Sequence, residues 1–255
     1  MIRLFHVSDV HFGREDRDAI AWFDALVQYE RPDAVVMTGD LTLRARRREF
    51  AAGLEWLQGL GVPVTVEVGN HDLPYFNLYE RFARPYRRFV ALEQMVEQPL
   101  ELPGVVIVPM VTTARFQWRL NWSTGHVAKE ELAKTLALVA AAPPGKRVFV
   151  ACHHPLIEPH TRMSSQTRHG GEALIALARA GVAAVLTGHV HDPFDIAHQV
   201  DGHTIRLIGA GTLSERVRVS PPSFNEIQIG DTGFAVKVRT AAPEPDEKLP
   251  VEQAA

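Results

Sequence analysis

Ile2-Arg3-Leu4-Phe5-His6-Val7-Ser8-Asp9-Val10-His11 is a short apolar, β-prone run that ends on an Asp-x-His pair. The design returns in Ala34-Val35-Val36-Met37-Thr38-Gly39-Asp40 and in Val62 to Val68, which runs into Gly69-Asn70-His71-Asp72. It appears twice more, in Arg147 to Ala151 followed by Cys152-His153 and in Ala183 to Leu186 followed by Gly188-His189-Val190-His191. Between these runs lie segments with apolar residues at helical spacing: Asp18 to Glu30, Arg47 to Leu60, Lys129 to Ala141 and Glu172 to Ala180. Alternation of short strands with helices is the pattern of an α/β sheet protein.

Working outward, Tyr75 to Leu92 reads as one aromatic helix, and Leu100 to Val111 as two short strands around Pro103-Gly104. Alternating strands near Ile196 to Val200, Thr204 to Ile208, Asn225 to Ile229 and Phe234 to Val238 close the fold. Residues 1–240 are expected to form a single domain, and Ala241 to Ala255, rich in Pro, Glu and Ala, a disordered tail.

Composition narrows the function. The 255 residues carry 27 Lys and Arg against 30 Asp and Glu, a net charge of -3 without the basic excess of a nucleic-acid binder. One cysteine, Cys152, precludes an intramolecular disulfide and reads as a small buried core thiol. The N-terminus reaches Asp9 before it could supply a signal-peptide apolar region, and no segment approaches the ~20 apolar residues of a membrane span. A cytoplasmic protein with no membrane contact is expected; a homodimer is compatible with the sequence but has no residue pointing to it.

The chemistry sits at the strand exits, where open α/β sheets place their ligands. Asp9 and His11, Asp40, Asn70 and His71, His153, and His189 with His191 offer oxygen and imidazole donors from five exits. In extended backbone, residues two apart project to the same side, so Asp-x-His or His-x-His would reach one ion together. Singly, each motif has a plain reading: His11 or His191 as a surface or capping histidine, Asp40 as an N-cap carboxylate before Leu41, Gly69-Asn70 as a turn. Adjacent His153 and His154 would face opposite ways in a strand, so only one of them is expected to be a ligand and the other a packed or supporting histidine.

The ordered set Asp-x-His, Gly-Asp, Gly-Asn-His-Asp, a lone His and Gly-His-x-His resembles the calcineurin-like metallophosphoesterase superfamily from residue 2 to about residue 230. The resemblance implies a four-layer α-β-β-α sandwich of two mixed sheets flanked by helices. It further implies that Asp9, His11 and His191 bind one metal ion, that Asn70, His153 and His189 bind a second, and that Asp40 bridges them while His71 faces the substrate. Two cations about 4 Å apart need a shared carboxylate, and such a pair polarises phosphoryl oxygens and acidifies a bound water. The ligand types suit manganese, iron, zinc or cobalt.

The expected activity is that of a dinuclear metal-dependent phosphohydrolase working through a metal-bridging hydroxide, with His71 and Asp40 as its catalytic residues. Gly-Asn-His-Asp with Gly-His-Val-His looks most like class III cyclic-nucleotide phosphodiesterases and glycerophosphodiester-cleaving relatives, so the implied substrate is a cyclic nucleotide or other small phosphodiester. A phosphomonoesterase or nucleotide pyrophosphohydrolase is the enzyme alternative, and a non-catalytic metal-binding scaffold the alternative of another class. Three further segments have two readings each. Arg44 with Arg46 to Arg48 meets an anionic group or forms a solvated helix start; Arg115 to Gly125 stacks a base or packs as a loop; His154 to Gly170 covers the metals or is simply exposed.

Overall fold

The structure, a computed structural model, describes residues 1–75, 77–97, 100, 102–114, 123–163, 165–216 and 220–241. In chain order it runs β1 (Ile2–Val7), α1 (Arg17–Glu30), β2 (Ala34–Met37), α2 (Arg47–Gly59) and β3 (Val64–Val66), then a single 3-10 turn, Asn70–Asp72. Next come α3 (Leu78–Ala83), α4 (Arg87–Val96), β4 (Val105–Pro109), β5 (Gly125–His126), α5 (Lys129–Ala140), β6 (Arg147–Ala151) and β7 (Thr167–Arg168). The chain finishes with α6 (Gly170–Arg179), β8 (Ala184–Thr187), β9 (Phe194–Val200), β10 (His203–Gly209), β11 (Ser223–Ile229) and β12 (Phe234–Thr240).

Local chemistry sets the helix ends. Asp16 accepts hydrogen bonds from the Asp18 and Ala19 amides at 3.1 and 3.0 Å and starts α1, which ends where Arg31 turns left-handed before Pro32. The Glu49 carboxylate accepts from the Arg44 and Arg46 amides at 2.8 and 3.2 Å, anchoring the first turn of α2. Arg44, Arg46, Arg47 and Arg48 are exposed there, and Arg46 lies 3.7 Å from Glu49, which fits the solvated helix start.

Two mixed five-stranded sheets form, with strand orders β12-β11-β1-β2-β3 and β4-β6-β8-β10-β9. Three apolar clusters show four layers. Phe5, Val7, Val35 and Met37 pack against Phe23 of α1, Leu57 of α2 and Phe89 of α4. Leu4, Val36, Phe149, Ala151, Leu186 and Ile208 fill the space between the sheets. Val150, Val185 and Ile205 meet Leu174 and Leu177 of α6. Strands buried on both faces need apolar residues at every position, which is why these runs are continuous rather than alternating. Truncating a residue such as Phe23, fully buried at 4.9 Å from the Phe224 ring, costs ~3–5 kcal/mol.

Some expectations differ. The segment from Tyr75 to Leu92 forms two helices, α3 and α4, because Pro85 excludes Arg84 from helical conformation. Between Leu100 and Val111, the described residues form only β4; Pro103 has no amide to give to a ladder. The third strand shrinks from Val62–Val68 to Val64–Val66, its start delayed for the same reason at Pro63. The two-residue pair β5 and β7 has no sequence signal; with the Thr167 hydroxyl donating to Pro155 O at 2.6 Å, it ties down the 154–170 connection. Residues 115–122 of the base-stacking candidate Arg115 to Gly125, and residues 242–255 of the expected tail from Ala241, lie outside the described residues. Among the described residues, no helix is long and apolar enough to cross a membrane.

Glu67, just past β3, is 6% exposed, and burial, then the charges of Glu97 and Glu93, push its carboxyl well above the usual range. The folded chain therefore keeps a proton that the unfolded chain releases above pH ~4.5, so stability falls as pH rises through that window, by up to ~1.4 kcal/mol per pH unit. Glu67→Gln is expected to remove this slope and to raise the melting temperature more at pH 8 than at pH 5, as read by calorimetry; equal shifts at both pH values would contradict it.

Candidate metal centre

Parallel pairing in register brings the strand exits together. Val7 lies beside Met37, and past them the two chains stay zipped: the amides of Asp9, His11 and Phe12 donate to Gly39 O, Asp40 O and Leu41 O at 3.1, 3.0 and 2.8 Å. In the second sheet Ala151 lies beside Leu186, and the Gly188 amide donates to His153 O at 2.9 Å. Both sets of exits meet at one edge of the sandwich.

The backbone there is not extended. Asp9, His11, Asp40, His189 and His191 have φ of 55, 52, 53, 72 and 59°, so the Asp-x-His and His-x-His pairs converge through left-handed turns rather than through strand alternation. Such turns cost on the order of 1–2 kcal/mol per residue, and Asp, Asn and His tolerate them best. Side chains hold them in place. The His189 amide donates to Asp9 Oδ2 and the His71 amide to Asp40 Oδ1, both at 2.8 Å, while the Thr212 hydroxyl donates to Asp9 O at 2.6 Å. Asp72 accepts from the amides of Leu41, Thr42 and Gly69 at 3.2, 2.8 and 3.0 Å, clamping one exit loop to the next. Close approach explains two motif glycines. A Cβ on Gly69 would overlap the backbone nitrogen and Oδ1 of Asp40, and one on Gly188 would overlap Ser8 Oγ.

The side chains form two clusters. In one, His191 Nε2 lies 3.1 Å from Asp9 Oδ1 and 3.3 Å from His11 Nε2, which is 3.6 Å from Asp9 Oδ1. In the other, His153 Nε2 lies 3.1 Å from Asn70 Oδ1 and 3.4 Å from Asp40 Oδ2, with the His189 ring centred 5.2 Å from that of His153. Asp40 Oδ2 also lies 3.8 Å from His11 Nε2, so one carboxylate faces both clusters.

These atoms fit metal ions. Ions bonded at about 2.0–2.2 Å in tetrahedral geometry keep their ligand atoms roughly 3.3–3.6 Å apart, close to the spacings here. Asp9 Oδ1 is buried without a hydrogen-bond partner, the state of an acceptor whose natural partner is a cation. The imidazoles are oriented for it: His153 Nδ1 donates to Thr38 O at 2.8 Å and His191 Nδ1 to Arg216 O at 3.3 Å, which directs each Nε2 inward, where a cation would displace any proton it carries.

Electrostatics agree. Burial alone would raise Asp9 and Asp40, but neighbouring histidines, His191 for Asp9 and His153 for Asp40, hold both carboxyls below the usual range. Burial would lower His153, yet Asp40 draws it up to about 9, while burial and the neighbouring His153 charge lower His189 to about 3. Burial and the Asp40 charge push Asp72 up to about 6. The two buried carboxylates thus draw positive charge inward, held as protons on His153 and His191 where no cation is bound.

His153 and His154 both lie beyond the end of β6, so strand alternation does not separate them. Hydrogen bonding does. His154 Nε2 donates to Ser123 O at 3.1 Å and Nδ1 meets Thr112 Oγ1 at 3.0 Å, so both nitrogens are engaged although the ring lies 4.5 Å from that of His189. His71 is edge-on to His11, ring centres 4.8 Å apart; its Nδ1 donates to Leu43 O at 2.6 Å and its Nε2 lies 3.2 Å from Arg216 Nη1. Sequence reasoning missed Arg216, which sits in an irregular loop without a motif, and gave Asp72 no structural role.

A four-layer α/β sandwich with nitrogen and oxygen donors gathered at the exits of both sheets defines a metallohydrolase class. Residues 2–193 match the family model described as calcineurin-like phosphoesterase, and the chain belongs to that family. A cAMP/cGMP dual specificity phosphodiesterase of Mycobacterium tuberculosis (strain CDC 1551 / Oshkosh) is 29% identical over 208 residues, 74% of this chain and 61% of that protein. A glycerophosphodiester phosphodiesterase of Enterobacter lignolyticus (strain SCF1) is 32% identical over 80 residues, 27% of this chain and 29% of that protein. The chain thus matches less than two thirds of either relative's length. A dimetal phosphatase from Danio rerio superposes with a TM-score of 0.67 over 94% of this chain and 96% of that one; at 14% identity this shows the fold.

Because backbone atoms of Asp40 occupy the space a Gly69 side chain needs, Gly69→Ala is expected to lower the melting temperature and to abolish the upward shift that manganese gives the wild type. Calorimetry with and without manganese checks this, and an undiminished shift would show that the loops do not need this contact.

Proposed function

We propose that the chain is a dinuclear metal-dependent phosphodiesterase acting on small diesters such as cyclic nucleotides. One observation carries the dinuclear reading: Asp40 Oδ2 faces His153 at 3.4 Å and His11 at 3.8 Å, so a single carboxylate serves two donor clusters. Asp9, His11 and His191 would hold one ion, Asn70, His153 and His189 the other, with Asp40 shared. When bound, such ions supply Lewis acidity toward phosphoryl oxygens and make a water acidic enough to attack near neutral pH. Preference for diesters is supported by the two relatives named as phosphodiesterases.

The chain's own groups do the remaining work. Thr38 O and Arg216 O fix the ring orientations of His153 and His191. Leu43 O accepts a hydrogen bond from His71 Nδ1, so Nε2 is the nitrogen left to face the substrate, and once it has taken up a proton it can donate to a leaving or phosphoryl oxygen.

With manganese, bis(p-nitrophenyl) phosphate is expected to be hydrolysed faster than p-nitrophenyl phosphate, followed by tests of cyclic nucleotides; preference for the monoester would overturn the substrate class. His71→Ala is expected to lower kcat by about 10²–10⁴-fold with metal content retained. Loss of both metals in that variant, by elemental analysis, would contradict a substrate-facing role.

A further inference from the structure

Arg216 is mounted on the centre rather than placed beside it. Its amide donates to Ser214 Oγ at 3.3 Å; the Ser214 and Thr212 hydroxyls are 2.8 Å apart, and Thr212 donates to Asp9 O. Ser214 and Thr212 are 0 and 1% exposed, so a buried relay ties the Arg216 backbone to the backbone of Asp9. Its carbonyl accepts from His191. Both ends of the residue's main chain are thereby fixed to residues of one donor cluster.

The side chain then points across the site. Arg216 Nη1 lies 3.2 Å from His71 Nε2, and among the described residues the guanidinium makes no ion pair. A guanidinium carries five donors in a rigid fork, whereas a neutral imidazole edge accepts one hydrogen bond. Because His71 Nδ1 already donates to Leu43 O, Nε2 is the accepting nitrogen in this contact. A cation held beside a centre that takes metal ions is repelled by them, and an anion in front of the centre relieves that repulsion.

We propose that Arg216 is a substrate-binding residue whose guanidinium donates to a phosphoryl oxygen of the substrate. The incoming anion meets the N–H groups of the fork that His71 does not use, while the contact to His71 Nε2 holds the guanidinium at the edge of the centre. His71 Nε2 accepts only one of the five donors, so the rest of the fork is available to the anion. This inference rests on reading the centre as a phosphoester site.

The test compares wild type, Arg216→Gln and Arg216→Lys, all loaded with manganese, using inorganic phosphate as the calorimetric probe and bis(p-nitrophenyl) phosphate as substrate. The carbonyl that accepts from His191 survives in every variant, so metal content is expected to be unchanged. Arg216→Gln is expected to weaken phosphate binding about 10- to 100-fold and to raise KM by a similar factor, the loss of one charge-assisted hydrogen bond. Arg216→Lys is expected to recover part of both, since it keeps the charge and loses the fork. Unchanged phosphate affinity in Arg216→Gln, a wild type that binds no phosphate, or loss of metal in both variants would each overturn the proposal. If Arg216→Gln weakens phosphate binding but the wild type cleaves no diester, Arg216 keeps its role and the phosphodiesterase reading falls. If diesters are cleaved and phosphate affinity does not change, the reverse holds.

Discussion

The Asp40 carboxylate joins the two halves of the centre. One oxygen accepts the His71 amide at 2.8 Å and so fixes the Gly69 to Asp72 turn; the other faces His153 from the second sheet and His11 from the first. For that carboxylate to stand there, β1, β2 and β3 must end together, and Asp40 must turn left-handed over a glycine with no side chain. The apolar layer between the sheets serves the same end, because Leu4, Val36, Ala151 and Leu186 bring the exits of both sheets to one edge.

The centre is made of features that each cost stability. Left-handed backbone, buried carboxylates and an acceptor without a partner at Asp9 Oδ1 are all unfavourable in isolation. They persist because neighbouring loops over-determine them: the amides of Leu41, Thr42 and Gly69 converge on Asp72, and Thr212 and Ser214 lie in a buried hydroxyl relay. Cations bound between the clusters would remove much of the remaining penalty, which couples metal affinity to folding.

Much of this architecture was legible in the sequence. Continuous β-branched runs marked strands buried on both faces, and helices α1, α2, α5 and α6 followed apolar spacing to within a few residues. The donor residues were legible because each lies at a strand exit, where sequence order implies spatial convergence. What could not be read was conformation. The pairs Asp9 with His11 and His189 with His191 converge by positive φ, a property of packed loops that residue spacing does not encode. Pro85 splits a segment whose aromatic pattern looked continuous, and Arg216 reaches His71 from 145 positions away through a loop with no motif.

One carboxylate, that of Asp40, is positioned to organise two cation sites. The most direct measurement of this is metal stoichiometry: the chain saturated with manganese, freed of loose metal and analysed for metal and protein together. A ratio close to two ions per chain is expected for the wild type, falling to one or fewer in Asp40→Asn. A wild-type ratio of one or less, or an undiminished ratio in Asp40→Asn, contradicts it.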